Sequence, residues 1–451
     1  MPAILDKIAA RASDAALITI AARQAAQDAI ADTFACMIAG QTDEASRAVR
    51  AGLLRGGMDG GPCTLVGGGR ASAPAAAMLN GTAAHALDYD DNFSPALSHA
   101  SAVLVPALLA AGELRGTSGK DLVHAYLVGL EAQALIGQGV GRHHYTIGWH
   151  ATSTVGAIGT AAGVGWLLGL DHDGLVRAMS LGVSMAAGVK GQFGTPAKPF
   201  HAGMAARNAV DAALLAAEGL SGRHDILEAP QGFGELFSAG KSPGWNIPHT
   251  AHIIETEGLA PKLHPCCGST HYAIDMVMDL RREHAFVAED VASVHLVVGL
   301  ANYRNLAYPD PQDEMEARFS MQYCVARALT QDALRLADFT PQATADPHIR
   351  ALMPRITMEP LAPEEESAAP RPSHRIRLVL TSGQVLEARR GHARGTLAEP
   401  FTRAERREKF FDCVTPHLGQ GGTANAWEAL NAVEDLAAPA SLLTLKQPAP
   451  A

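Results

Sequence analysis

Three aspartates stand within four positions, at Asp88, Asp90 and Asp91, in the segment HALDYDDNFSPALSHAS, and His99 follows across a proline-containing stretch. Crowded carboxylates raise one another's pKa and a neighbouring imidazolium lowers it, so such a loop can hold an acid/base pair. A helix-capping aspartate with solvated neighbours is the plainer alternative. A divalent ion is the weaker reading, because Asp-x-Asp-Asp with one His follows no known metal loop. A second segment, GRHHYTIGWHATSTVG, sets His143, His144 and His150 ahead of a run whose first turn carries Thr152, Ser153 and Thr154. A helix start rich in hydroxyls favours a carboxylate or phosphate, and a His beside it serves as base or donor. N-capping with a satisfied core histidine explains the same residues.

A third segment, GTPAKPFHAGMAARNAV, brings Lys198, His201 and Arg207 onto a helix of small residues. Cations on an interior helix need anionic partners, either internal aspartates or a substrate. In the fourth, APKLHPCCGSTHYAID, Lys262, His264 and His271 fall at the expected domain junction, where ligand pockets are favoured. The chain shows no spaced G-x-G-x-x-G, GK[ST], G-x-S-x-G or H-E-x-x-H, and Gly67–Gly69 reads as a turn. What remains is His, Lys and Asp without a cofactor signature. That inventory suits acid/base chemistry on a polyanionic small molecule, with cations holding carboxylates while His or Asp moves a proton.

The elements that must position these groups read as helices through the first half: Ala21–Ala39, Ala75–Ala86, Ser101–Leu114, Lys120–Gly139, Leu175–Val189 and His201–Leu220. Ala and Leu are the best helix formers, and apolar residues surround most of each helix, which marks interior helices. The uncharged run Ala151–Leu170 is long enough to span a membrane. Its four hydroxyls, five glycines and lack of flanking aromatic or basic anchors instead indicate a buried helix in close contact with neighbours. After about Gly258 the pattern changes. Ser293–Val298 reads as a strand, Arg375–Leu380 and Val385–Arg389 as a hairpin, Thr270–Arg281 and Glu316–Leu329 as helices, and Glu359–Pro372 as an exposed loop. From Thr402 the pattern is helical again. The expected fold is mainly α: a large all-helical domain over 1–257 plus 402–440, with a smaller α+β lid domain, 258–401, inserted before the C-terminal helices.

Composition narrows the partners. With 451 residues, 47% hydrophobic and 18% charged, the chain buries a large core. A net charge of −10 argues against nucleic acid and against a polybasic membrane binder. The six cysteines include no Cys-x-x-Cys pair, so neither a zinc ribbon nor a redox dithiol is indicated. The start lacks a secretion-signal pattern, and a cytoplasmic location is expected.

Taken together, HALDYDDN with its nearby His, GWHATSTVGAIGTAAG, KPFHAGMAARN and PKLHPCCGSTH resemble, in order, the motifs of the MmgE/PrpD family. The resemblance runs from near the N-terminus to the FFDC segment at Cys413. The family includes 2-methylcitrate dehydratase, cis-aconitate decarboxylase and iminodisuccinate epimerase. The resemblance implies a helical domain with an α+β lid domain, a homodimer, no metal and no organic cofactor. It assigns catalytic positions to Asp88, His99, His150, Lys262 and Tyr303, the last in ANYRN. Lys198, His201, Arg207 and Asn92 would bind substrate. Ala100 stands where Pro commonly follows the loop His, Asn92 where a hydroxyl residue is frequent, and HATST where HPTST is frequent. These features look closer to the iminodisuccinate-epimerase-like members. The resulting expectation is a cofactor-independent lyase, a dehydratase or decarboxylase of a di- or tricarboxylic acid. The alternatives are an epimerase of an iminodisuccinate-like dicarboxylate and a non-catalytic carboxylate-binding protein.

Overall fold

The computed structural model describes residues 2–247, 250–368 and 373–444. The chain divides into two compact units, Met1–Pro261 with Arg406–Ala451, and Lys262–Glu405. In the first, helices Ile20–Gly40, Ala73–His85, Ser101–Arg115, Gly119–Val140, Ala151–Leu167 and Ala197–Ala217 pack around one another. Every residue of Ala151–Leu167 except Trp166 is buried. The uncharged run is therefore an interior helix. Among the described residues no helix is long and apolar enough to cross a membrane.

Small residues set how closely these helices approach. A Cβ on Gly163 would lie 2.7 Å from the Ala125 carbonyl oxygen, and one on Gly159 would lie 2.5 Å from Gln133. Those two glycines let the Ala151–Leu167 and Gly119–Val140 backbones touch, which a side chain at either position would prevent. The packing relies on backbone contact because aromatics are only 5% of the chain.

Some boundaries differ from the sequence reading, each for a local reason. The helix read as Leu175–Val189 runs His172–Ser184, because Asp171 caps it early by accepting from the Gly174 N–H at 2.8 Å. The helix expected over Glu316–Leu329 is two, Glu314–Arg318 and Met321–Thr330, with Ser320 capping the second through the Tyr323 N–H. The glycine triplet joins two short antiparallel strands, β1 (Asp59–Thr64) and β2 (Arg70–Ala71), and all three glycines have positive φ. The stretch expected to be a loop over Glu359–Pro372 begins inside a strand and contains the short helix Pro363–Ser367, while residues 369–372 lie outside the described ones.

The second unit carries a four-stranded sheet. Strand β3 (Val291–Val298) pairs in parallel with β4 (Ile356–Pro360) and antiparallel with β5 (His374–Leu380), which continues antiparallel into β6 (Val385–Arg390). Alternate residues Val294, Leu296 and Val298 of β3 and Ile376 and Leu378 of β5 are buried, the period-two pattern of a sheet with one covered face. Helices Gly268–His284 and Met321–Thr330 pack against it. The protein is thus mainly α with a smaller α+β region. Among the described residues all six cysteines are buried and none forms a disulfide.

Candidate active site

The Ala73–His85 helix ends on His85, and the chain turns through Asp88, whose φ of 50° lies in the left-handed region. An aspartate tolerates that conformation better than most residues, and the turn sets which way the following carboxylates point. Asn92 then pairs backbone to backbone with Ala260, and Phe93 with Ser98, closing a tight loop that delivers His99 beside the start of helix Ser101–Arg115. The His99 N–H donates to Thr152 Oγ1 at 3.0 Å. His150 is the N-cap of Ala151–Leu167, with its N–H on the Gly188 carbonyl at 3.1 Å. Lys198 and His201 occupy the first turns of Ala197–Ala217.

These separate elements bring three imidazoles together. Ring centroids lie 4.4 Å apart for His85 and His99, 6.0 Å for His85 and His150, and 6.5 Å for His99 and His150. His201 joins them, its Nδ1 3.1 Å from Nδ1 of His150. His85 Nδ1 stands 2.9 Å from both oxygens of Asp90, and Asp90 Oδ2 is also 3.4 Å from His99 Nδ1. The Lys198 ammonium donates to Asp88 Oδ1. Phe193 closes one side, its ring meeting that of His150 edge-on at 4.9 Å and lying 5.3 Å from Lys198 Nζ. His85 and Asp90 are fully enclosed, whereas the His99 side chain is 15% exposed and is the ring a small molecule can reach.

His99 Nδ1 lies 2.8 Å from the Asp91 carbonyl oxygen, a group that only accepts, so Nδ1 carries a proton. Burial outweighs the attraction of Asp90 and lowers His85 to about 3, so this ring is neutral. Burial, then the Lys198 charge, hold His150 well below the ordinary imidazole range. Burial acts on Asp90 in the opposite sense, but the N–H groups of His85 and His99 that face it overcome it and hold its carboxyl well below the usual carboxylate range. Burial raises Asp91 to about 7 against the hydrogen bond from Ser101, whose hydroxyl also meets Tyr126 Oη at 2.7 Å. The site therefore holds two neutral imidazoles in His85 and His150, the partly exposed ring of His99, fixed carboxylates and a buried ammonium, the components of proton transfer beside a bound anion.

Of the residues singled out in the sequence, Asp88, His99, His150, Lys198 and His201 converge here. Asn92 is half-buried in the same loop and serves it through its backbone pair with Ala260. Arg207 does not join them: its side chain is 41% exposed and its Nε lies 3.4 Å from Asp211 on the same helix. Lys262 and Tyr303 belong to the second unit, Lys262 buried at its start and Tyr303 half-exposed in the short helix Leu300–Asn305. His144 is a core residue, bonded to Thr154 Oγ1 at 2.7 Å and to the Phe237 carbonyl at 2.9 Å. The second unit's His264 and His271 are likewise buried, His264 3.4 Å from Asp275 and His271 3.2 Å from the Cys266 carbonyl.

The sequence reading passed over His85, Ser101 and Tyr126, and took Asp90 only as one of a crowd. His85 closes an alanine-rich helix five residues before Asp90, and that spacing was the available signal. His85, Asp88, Asp90 and His99 also offer ligand atoms all within 4.8 Å of one another, the spacing of a metal site. The ammonium of Lys198 already supplies positive charge to one of those carboxylates.

Fold and cluster define a mainly helical protein with an enclosed imidazole–carboxylate–ammonium centre. The sequence matches the MmgE/PrpD N-terminal domain over residues 6–246 and the MmgE/PrpD C-terminal domain over residues 264–435. The chain belongs to the MmgE/PrpD family and is an enzyme of the lyase type. It is 29% identical over 387 residues to the cis-aconitate decarboxylase of Homo sapiens, covering 83% of this chain and 80% of that one. The Mus musculus cis-aconitate decarboxylase is 30% identical over 374 residues, with coverage of 80% and 76%. A cis-aconitate decarboxylase of Aspergillus terreus is 28% identical over 303 residues, 62% of each chain.

Proposed function

We propose that the protein is a cofactor-independent lyase that decarboxylates or dehydrates a di- or tricarboxylic acid, with decarboxylation of a cis-aconitate-like unsaturated tricarboxylate the favoured reaction. The observation that carries this reading is the meeting of His99, His150 and Lys198 with two buried aspartates in one enclosed cluster. The names of the relatives support the choice of decarboxylation.

In that reaction the bond between carbon and the departing carboxylate breaks. CO₂ leaves and the electron pair passes into the adjoining unsaturated carbon skeleton. A protonated imidazole returns one proton to the carbanion carbon. Lys198 offers positive charge to the carboxylates that share the developing negative charge, a contribution of several kcal/mol for a preorganised cation in a dry site. His99, partly exposed and held by Asp90, is the group that takes up a proton from solvent and delivers it, and Asp90 stabilises its imidazolium. His150 is the second proton carrier.

Incubation with cis-aconitate, 2-methylcitrate and iminodisuccinate in D₂O, followed by mass spectrometry, tests the proposal. Loss of CO₂ with one deuterium in the product supports decarboxylation, and loss of water supports dehydration. Exchange without either overturns the lyase mechanism in favour of epimerisation; saturable binding without exchange leaves a carboxylate-binding protein. The roles that the resemblance gives Lys262 and Tyr303 are separate proposals, checked by Lys262→Ala and Tyr303→Phe with retained melting temperature as the control. A homodimer in the cytoplasm completes the reading, checked by light scattering and cell fractionation.

A further inference from the structure

Lys409 lies in helix Arg403–Asn431, in the C-terminal segment that returns to the first unit, and is only 1% exposed. Its ammonium donates to Asp32 Oδ2 at 2.8 Å and to the carbonyl oxygen of Tyr89 at 2.7 Å, 320 positions away in sequence. It also sits 4.4 Å from the centroid of the Tyr89 ring. Tyr89 is the residue between Asp88, with its left-handed backbone, and Asp90, which holds His85 and His99. A non-glycine residue with positive φ persists only where the surroundings over-determine it. A hydrogen bond from an ammonium to a carbonyl is stronger than a neutral one, and burial strengthens it further.

We propose that Lys409 is a positioning residue of the active site: with its charge balanced by Asp32, its ammonium pins the Tyr89 peptide and thereby aims Asp88 at Lys198 and Asp90 at the imidazoles. This rests on the reading of the cluster as the active site. A lysine serving the core alone needs one anion, and Asp32 supplies it. The second bond goes instead to the carbonyl of the peptide that links the two functional aspartates.

The test pairs Lys409→Met/Asp32→Asn, which leaves no buried charge without its counter-ion, with Lys409→Arg, which keeps the charge but moves the donor. Both are compared with wild type for melting temperature, kcat and KM on the best polycarboxylate. Misplacement of a catalytic group by about 1 Å can cost 100-fold, so kcat should fall about 10- to 100-fold in the double variant, with KM within about twofold. Lys409→Arg should melt like wild type with kcat lowered about tenfold. A second readout needs no substrate: the hydrogen-bonded His85 Nδ1 proton, observed by NMR, should broaden or shift in both variants. If wild type turns over none of the acids, the carboxylate reading fails while this proton still reports on Lys409. Variants with wild-type kcat and an unchanged His85 signal overturn the proposal and leave Lys409 as a fold staple.

Discussion

His150 and His201 face each other through like atoms, their Nδ1 nitrogens 3.1 Å apart in a buried setting. A hydrogen bond between them requires a proton on one Nδ1 and a lone pair on the other. Burial lowers the pKa of both rings, so the pair is neutral and shares that one proton. When His150 donates, its Nε2 is a base; when it accepts, its Nε2 carries a proton and is an acid. That nitrogen is buried and has no hydrogen-bond partner among the described residues.

His201→Phe removes this tautomer control while keeping a ring in place. Proton-transfer groups contribute about 100- to 10,000-fold, and a residue acting through one of them should cost the lower end of that range in kcat. KM should move less than kcat, because the lost contact is to His150. Steady-state kinetics give the split. Nitrogen-15 NMR of His150 should show its tautomer ratio shift. An unchanged tautomer ratio with unchanged kcat would confine His201 to packing.

Lys198, in the first turn of Ala197–Ala217, and Asp88, in the turn after Ala73–His85, form a buried pair, their side chains each 4% exposed. Removing one partner of such a pair strands the other charge and costs about 3–5 kcal/mol. Lys198→Met should therefore lower stability by that order and abolish measurable turnover. Lys198→Met/Asp88→Asn should recover most of the stability, since no charge is stranded, and none of the activity. Urea melts and a turnover assay on the same preparations decide it. Recovery of turnover in the double variant would show that the cation serves the fold alone.

The convergence of Asp88, His99, His150 and Lys198 was legible because each interrupts an otherwise apolar, small-residue stretch. Arg207 lies off the cluster for a geometric reason. At 100° per residue, nine residues carry it half a turn away from Lys198, and the helix turns it toward Asp211 and solvent. Lys198 and His201, three apart, share a face. The role of Asp90 depends on the left-handed turn at Asp88, which spacing does not reveal. Lys409 was beyond reach because its partner is 320 positions distant. The strand Ile356–Pro360 was missed because its hydrophobic pattern is short, with only Ile356 buried. By contrast, the hairpin formed as expected, since Arg375–Leu380 alternates and Ser382–Gly383 suits a turn.

Acid should destabilise the protein well before carboxylates of ordinary pKa are protonated. Burial lowers His85 to about 3, and His144 and His374 to about 4, from an ordinary 6.5. A depressed imidazole pKa means that the unfolded chain binds protons first, so the stability is present above 6.5 and is lost as pH falls toward the folded values. His144 fixes the mechanism best. Nδ1 donates to the Phe237 carbonyl and Nε2 accepts from Thr154, so protonation breaks a bond. Each ring should remove on the order of 2 kcal/mol between pH 6.5 and 5. Urea midpoints at the two pH values measure the loss, and His144→Gln should reduce it. A midpoint independent of pH in this window would mean that the rings protonate in place.

Asp91 should act in the opposite direction. Burial raises its carboxyl to about 7 from an ordinary 3.8, so the folded state favours the protonated form. Its contribution is fully present below 3.8, erodes as pH rises toward 7, and is constant above. Asparagine cannot ionise and still accepts from Ser101, so Asp91→Asn should gain stability relative to wild type as the pH increases. The gain between pH 5 and 8 should be on the order of 2 kcal/mol, from about two pKa units of the shift. The same carboxyl faces Asp90 and Asp32, and both of their negative charges push in this direction. Denaturant melts of both proteins at pH 5 and 8 isolate the effect, because the histidine contributions cancel between them. A difference that stays flat would mean that Asp91 remains ionised throughout, held by Ser101 more firmly than burial opposes it.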